Sequence, residues 1–164
     1  MHKRSQDLIL IVDDAPEDPR ILMRALRRLG VQNPICCLEN GEQLRAYVKG
    51  DTPYSDRLQH PLPAILFLAL DMRILDGPPI LDWLQGSGID TNSRLFAYGE
   101  RRTASEIERI CKRGADLFIK KPFQEIDLLD LIYRFPESWD IGVLQKSSPT
   151  VLPGSQLRSP ENLI

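Results

Sequence analysis

The sequence has few of the residues from which disulfide frameworks and zinc sites are built. Its 164 residues include 3 cysteines and 2 histidines, and two of the cysteines, Cys36 and Cys37, are adjacent. This arrangement is neither a disulfide framework nor the spaced ligand set of a zinc site. We expect these two cysteines and Cys111 to point inward and to pack as small apolar residues.

Long apolar runs and an excess of one charge are also missing. No stretch approaches the roughly 18 apolar residues that cross a membrane, and the short run near the start ends in two aspartates, unlike a secretion signal. Lys and Arg number 21 against 23 Asp and Glu, a formal net charge of -2. Nucleic-acid binding needs a concentrated basic face. We therefore expect a cytoplasmic protein that has neither a membrane nor a nucleic acid as a partner.

What is present is the composition and pattern of a globular domain. Hydrophobic residues make up 42% of the chain and charged residues 27%, which is ordinary for a folded protein. Five short apolar runs alternate with segments of helical spacing, and the runs are residues 7–12, 35–38, 64–70, 94–98 and 117–119. This alternation predicts an α/β fold, a doubly wound five-stranded parallel sheet with helices on both faces.

The character of the sequence changes after Pro136. Prolines and serines become frequent in residues 141–164, and the apolar residues there show no period. We predict a domain over residues 1–136 and a loosely ordered C-terminal tail over residues 137–164.

Polar residues follow several of the predicted strands at their carboxyl ends, where open α/β sheets bind ligands. Asp13 and Asp14 follow the first run, Asp71 follows the third, and Lys121 follows the fifth. Adjacent carboxylates suit a hard cation such as Mg²⁺, and a lysine ammonium can hold a phosphoryl oxygen. A binding site at this edge of the sheet is the natural expectation.

Three segments resemble the receiver domains of two-component response regulators. They are the Asp13-Asp14 pair, residues 72–77 (Met-Arg-Ile-Leu-Asp-Gly) and residues 114–123 (Gly-Ala-Asp-Leu-Phe-Ile-Lys-Lys-Pro-Phe). The resemblance covers about residues 7–135 and implies the flavodoxin-like receiver fold. The long proline-containing loop before the third strand and the helix with Trp83 look closest to single-domain receivers that partner bacterial phytochrome kinases.

The resemblance also implies a set of roles. In this family an aspartate on the third strand accepts a phosphoryl group from a kinase histidine, and a Ser or Thr after the fourth strand responds to it. The family pattern implies Mg²⁺ binding by Asp13, Asp14 and the backbone carbonyl of Asp71, and phosphoryl binding by Lys121. Phe118 matches the position of the aromatic switch residue.

Two positions depart from the family pattern. Ala69 stands at the acceptor position and Gly99 at the hydroxyl position. A methyl group cannot form an acyl phosphate, and the loss of one anionic oxygen weakens a Mg²⁺ site. We therefore expect a degenerate, non-phosphorylatable receiver that is not an enzyme and acts through protein–protein contacts. The expected partner is a sensor histidine kinase or another signalling protein, and the fourth helix, fifth strand and fifth helix are a candidate homodimer face.

Two alternatives retain the phosphoryl chemistry. Asp71 lies two residues beyond Ala69 on the same face of the strand, so it is an alternative acceptor. In the other alternative, Ala69 is an engineered replacement that silences a working receiver, although Gly99 indicates a broader divergence. Arg102, which follows the fourth strand, is expected to be an ordinary surface residue.

Enzymes that use an aspartate after the first strand are a different class with similar strand ends. Such phosphohydrolases need a second aspartate two residues after the first, and Ala15 occupies that position here. Dinucleotide binding is excluded more strongly, because the first turn has no Gly-x-Gly-x-x-Gly pattern.

Overall fold

A computed structural model of the chain describes residues 7–72, 80–87, 89 and 93–142. Five strands form one parallel sheet: β1 (Ile9–Val12), β2 (Ile35–Leu38), β3 (Ile65–Ala69), β4 (Arg94–Gly99) and β5 (Leu117–Lys120). Five helices connect or follow them: α1 (Glu17–Arg28), α2 (Gly41–Lys49), α3 (Ile80–Gln85), α4 (Ala104–Lys112) and α5 (Glu125–Arg134). The strand order is β2-β1-β3-β4-β5. The predicted fold class is confirmed.

The central strands are covered on both faces by the helices. All residues of β1 and β3 are buried, as expected for the continuous apolar runs of a parallel sheet. The register aligns the carboxyl ends of the strands, with Val12 opposite Leu68, Ala69 opposite Tyr98, and Gly99 opposite Lys120. This alignment brings the loops that follow β1, β3, β4 and β5 to one edge.

The helices begin and end at residues with recognisable capping roles. Asn40 caps α2 by accepting a hydrogen bond from the backbone of Gln43 at 2.8 Å, and Gly50 ends that helix with a φ of 78°, a conformation that favours glycine. Thr103 and Glu106 form a reciprocal capping box at the start of α4. Yet none of the nine residues of α4 is buried.

The packed domain extends past the predicted boundary at residue 136. A short 3-10 helix (Pro136–Ser138) follows α5, and Trp139 is only 4% exposed, with its ring parallel to that of Phe96. Ile141 pairs with Val31 in an antiparallel bridge. Residues 137–142 therefore belong to the domain, because their contacts are with distant parts of the chain. The remainder of the predicted tail lies outside the described residues.

The expected inward orientation of the cysteines is wrong for two of them. Cys37 and Cys111 are exposed, and Cys36 is half-buried. Cys37 lies on β2, an edge strand, and Cys111 lies on α4, which buries none of its side chains. In the parts of the chain that the structure describes, no helix is long and apolar enough to span a membrane.

Candidate functional site

The carboxyl edge of the sheet brings together most of the residues that the sequence assigned to a site. Asp13, Asp71 and Lys121 all lie there, as do the acceptor position, Ala69, and the hydroxyl position, Gly99. Asp76 and Gly77, part of the motif after β3, lie outside the described residues.

Asp13 is a buried carboxylate that is held by the protein itself. It is 5% exposed. One oxygen, Oδ2, accepts a hydrogen bond from the Tyr98 hydroxyl at 2.7 Å, and Oδ1 accepts one from the backbone N–H of Ala15 at 3.0 Å. Burial and the contact with Asp13 raise the pKa of Tyr98, so its hydroxyl remains a proton donor at neutral pH. Asp14, the next residue, is exposed.

Ala69 makes the contact between Tyr98 and Asp13 sterically feasible. Tyr98 lies on β4 and Asp13 follows β1, and β3 lies between these two strands. The tyrosine side chain therefore has to cross β3, where Ala69 is its register partner. Paired residues of neighbouring strands point to the same face, so a larger side chain at position 69 would compete with the tyrosine for space. Ala69 is 1% exposed and carries no nucleophile.

Lys121 forms an ion pair with an aspartate of α1. Its Nζ lies 2.7 Å from Asp18 Oδ2, and both side chains are mostly buried. The same Nζ lies 5.5 Å from the centre of the Tyr98 ring. Burial alone would lower the pKa of Lys121, but the hydrogen bond to Asp18 and the nearby acidic charges raise it overall. The lysine is thus a charged group whose ammonium is paired with a carboxylate of α1.

The Asp71 side chain contacts the segment that follows β4. Its Oδ2 accepts a hydrogen bond from the backbone N–H of Glu100 at 2.5 Å, and its Oδ1 lies 2.5 Å from Arg102 Nη2. Burial would raise the pKa of Asp71, but these two contacts, with a contribution from the charge of Lys121, lower it overall. The resemblance assigned only the backbone carbonyl of this residue to the site.

Gly99 leaves space for the Asp71 carboxylate. A Cβ atom on Gly99 would collide with Asp71 Oδ2 and would lie 3.0 Å from Arg102 Nη1. The absence of a hydroxyl residue here is therefore coupled to the Asp71–Arg102 contact. Phe118, at the predicted aromatic position, is half-buried, and the Arg102 guanidinium lies 5.4 Å from the centre of its ring.

Sequence reasoning missed three of the participants at this edge. Asp18 belongs to the polar first turn of α1, Tyr98 looks like a core aromatic, and the expectation that Arg102 is an ordinary surface residue is wrong, since its side chain is only 20% exposed. Their roles depend on contacts between side chains of different elements, which the sequence does not show directly. Only the unexpected glycine at position 99 gave a signal of such a contact.

The acidic side chains at this edge do not form a cluster of metal ligands among the described residues. Within residues 7–72, 80–87, 89 and 93–142 no three His, Cys, Asp or Glu side chains are grouped closely enough to hold a metal. Asp13 accepts two hydrogen bonds from the protein, and the carboxylate of Asp71 is turned toward Arg102. Mg²⁺ takes several oxygen ligands in near-octahedral geometry, and the resemblance assigns it the backbone carbonyl of Asp71, so the contacts that bear directly on the predicted set are those of the Asp13 carboxylate.

Comparison with known proteins identifies the fold. No protein-family model matches the chain, and no curated protein sequence matches it. A solved response regulator in red light signaling of R. palustris is 25% identical, with a TM-score of 0.68 over 81% of this chain and 93% of its own.

Two further structures share the fold at lower identity. The bacteriophytochrome response regulator AtBRR is 22% identical, with a TM-score of 0.68 over 84% of this chain and 97% of its own. The phosphorylated cyanobacterial phytochrome response regulator RcpA is 18% identical, with a TM-score of 0.65 over 91% and 99%. The fold implied by the resemblance to response regulator receivers is confirmed.

Proposed function

We propose that this protein is a receiver module of two-component signal transduction that works without phosphorylation and acts through contacts with other proteins. The observation that carries the proposal is the hydrogen bond from the Tyr98 hydroxyl to Asp13 across Ala69. This hydrogen bond gives the buried Asp13 carboxylate a donor from within the domain. It passes over Ala69, the position at which a phosphorylated receiver has its phosphoacceptor aspartate.

The other charged groups at the edge support the same function. Lys121 is paired with Asp18, and Asp71 is paired with Arg102. An incoming phosphoryl group would have to displace one of these partners, and the acceptor carboxylate is missing. We propose accordingly that the protein functions without Mg²⁺ and is not an enzyme.

The proposed partner is a sensor histidine kinase or another signalling protein in the cytoplasm. The response regulators of red light signaling and of bacteriophytochromes among the structural neighbours favour a kinase of the phytochrome class. A second copy of the chain is a further candidate partner through the face made by α4, β5 and α5. On α5 the apolar side chains of Ile126 and Tyr133 are 65% and 78% exposed, so this helix has apolar surface that a partner could cover.

Phosphoryl uptake tests this function. The protein is incubated with Mg²⁺ and a small phosphodonor, and its intact mass is measured, with Asp71→Asn and Ala69→Asp treated in parallel. We expect no mass gain in any of the three. A gain in the parent that Asp71→Asn abolishes would contradict the proposal and assign the acceptor role to Asp71. A gain in Ala69→Asp alone would mean that only the nucleophile is missing.

Catalytic turnover is a separate test of the enzyme alternative. A generic phosphomonoester is incubated with the parent protein and released phosphate is measured. Release above that of a heat-denatured sample, abolished by Asp13→Asn, would favour a phosphohydrolase. We expect none.

A further inference from the structure

The position of α4 on the sheet depends on few contacts. None of its residues is buried, whereas α1, α2, α3 and α5 each bury at least two. Its half-buried apolar residues, Ile107 and Ile110, are the part of the helix that is turned away from solvent. A helix with so little apolar burial gains little from packing, so polar contacts at its ends take a larger share in holding it.

The N-terminal end of α4 is rigidly joined to Arg102. The Thr103 backbone N–H donates to Glu106 Oε1 at 2.8 Å, and the Glu106 backbone N–H donates to Thr103 Oγ1 at 3.2 Å. This capping box fixes the first turn of the helix to its N-cap residue. Because Arg102 directly precedes the N-cap residue Thr103, contacts that fix the position of Arg102 also fix the first turn of α4.

Arg102 is held from three directions. It pairs with Asp71 after β3, donates to the backbone carbonyl of Glu100 at 3.0 Å, and lies over the ring of Phe118 on β5. Asp71 in turn accepts the backbone N–H of Glu100. The Asp71–Arg102 pair is more enclosed than most other ion pairs of the described residues, at 29% and 20% side-chain exposure. Enclosed, charge-assisted contacts are stronger than exposed pairs.

We propose that the Asp71–Arg102 ion pair is the anchor that fixes α4 and its junction with β5, so that breaking this one pair releases α4 while the rest of the domain stays folded. The ion pair is then a built-in control point for the surface that α4 and β5 present. A partner that contacts Arg102 or Phe118 at this point would alter the position of α4 directly. This inference concerns the same edge as the proposed function but does not depend on phosphoryl uptake.

Hydrogen exchange at single amides, followed by NMR in the full chain, tests the anchor. In Asp71→Asn and in Arg102→Gln we expect the amides of Glu100 and of α4 to exchange about tenfold faster, as for the loss of a charge-assisted hydrogen bond. The amides of β1 should keep their parent rates. The double variant should be no faster than the faster single variant, because both substitutions remove the same contact.

Arg113→Gln is the matched control. It breaks an exposed ion pair between Arg113 and Asp82, 3.7 Å long, at the opposite end of the same helix. In Arg113→Gln we expect the amide exchange rates of α4 to change by less than about twofold, because exposed ion pairs contribute little to stability. No phosphodonor is present, so this test and the uptake assay can fail independently.

Three results would overturn the anchor. The first is that the amides of α4 exchange at the parent rate in both Asp71→Asn and Arg102→Gln. The second is that Arg113→Gln accelerates exchange in α4 as much as these variants do. The third is that the amides of β1 are accelerated as much as those of α4. If Asp71→Asn fails to fold, a milder variant of the other partner replaces it, and equal acceleration of α4 and β1 in that variant overturns the proposal. Arg102→Lys, which keeps the charge but loses the guanidinium fork, should then still accelerate α4 over β1 if a local anchor exists.

Discussion

At the scale of single residues, two pairs of side chains determine the state of the site. Tyr98 reaches Asp13 because Ala69 is small, and Asp71 reaches Glu100 and Arg102 because Gly99 has no side chain. Each pair joins a lost family residue to a new internal contact. Ala69 and Gly99, the two positions that differ from the receiver pattern, are therefore each coupled to a contact inside the domain.

Tyr98→Phe tests the first pair. Removing the hydroxyl leaves the buried Asp13 carboxylate with one donor fewer, which we expect to lower the free energy of unfolding by about 1–3 kcal/mol. Urea denaturation followed by circular dichroism measures it. Tyr133→Phe, at a position that is 78% exposed, is the control and should leave the midpoint unchanged. Equal midpoints for Tyr98→Phe and the parent would mean that the hydrogen bond has no net stabilising value.

Gly99→Ala tests the second pair. The added methyl group displaces the Asp71 carboxylate, and we expect a loss of about 1–3 kcal/mol in the free energy of unfolding. In an Asp71→Ala background the same substitution should cost little, since the colliding atoms are gone. Gly86→Ala, whose new Cβ would meet only the Trp83 carbonyl at 3.8 Å, is the control. A Gly99→Ala penalty that persists without Asp71 would contradict this explanation.

At the scale of elements, the sequence predicted nearly all of the architecture. Apolar runs are local signals, and the five predicted runs lie within about two residues of the bounds of the five observed strands. The strand ends then followed from the parallel order, which is how Asp13, Asp71 and Lys121 were predicted to share an edge.

The remaining features depend on contacts that have no local signal. Residues 137–142 look like the start of a tail until Trp139 is seen against Phe96, and the pairing of Lys121 with Asp18 joins two elements far apart in the chain. The composition of a segment indicates which of its side chains can be buried. Which part of the protein those side chains pack against depends on the tertiary fold.

Trp139→Ala tests whether the segment after α5 belongs to the domain. The indole packs beside Phe67 and Phe96, and we expect a loss of about 3–5 kcal/mol in the free energy of unfolding. Trp139→Phe should cost less than Trp139→Ala, because a phenyl ring keeps part of the packing and the indole Nε1 has no hydrogen-bond partner among the described residues to lose. If Trp139→Ala is as stable as Trp139→Phe, the segment does not contribute to the core.

At the scale of the whole molecule, three internal pairs close the edge where receivers bind their ligands. They are Tyr98 with Asp13, Asp18 with Lys121, and Asp71 with Arg102. Together they satisfy the charges that a cation and a phosphoryl group satisfy in a phosphorylated receiver. These pairs are the structural basis of the proposal that the domain acts without phosphorylation.

The pH dependence of stability follows from one of these pairs. The pKa of Asp71 is lowered from its ordinary value of 3.8. A depressed carboxyl pKa adds stability that is present above the unfolded value and is lost as the pH falls through the folded value. We expect the difference in unfolding free energy between the parent and Asp71→Asn to be constant near neutrality and to shrink below pH 3.8. A difference that grows as the pH falls would have the wrong sign.

The most direct test of the central claim is a titration of the carboxyl edge itself. The amide NMR spectrum is recorded while Mg²⁺ and then a small phosphodonor are added. We predict no saturable shifts at Asp13, Asp14, Asp71 and Glu100, because internal contacts already engage the carboxylates of Asp13 and Asp71 and the backbone N–H of Glu100. Saturable shifts confined to these residues, followed by a second set on phosphodonor addition, would contradict the account and restore the protein to the phosphorylated receivers.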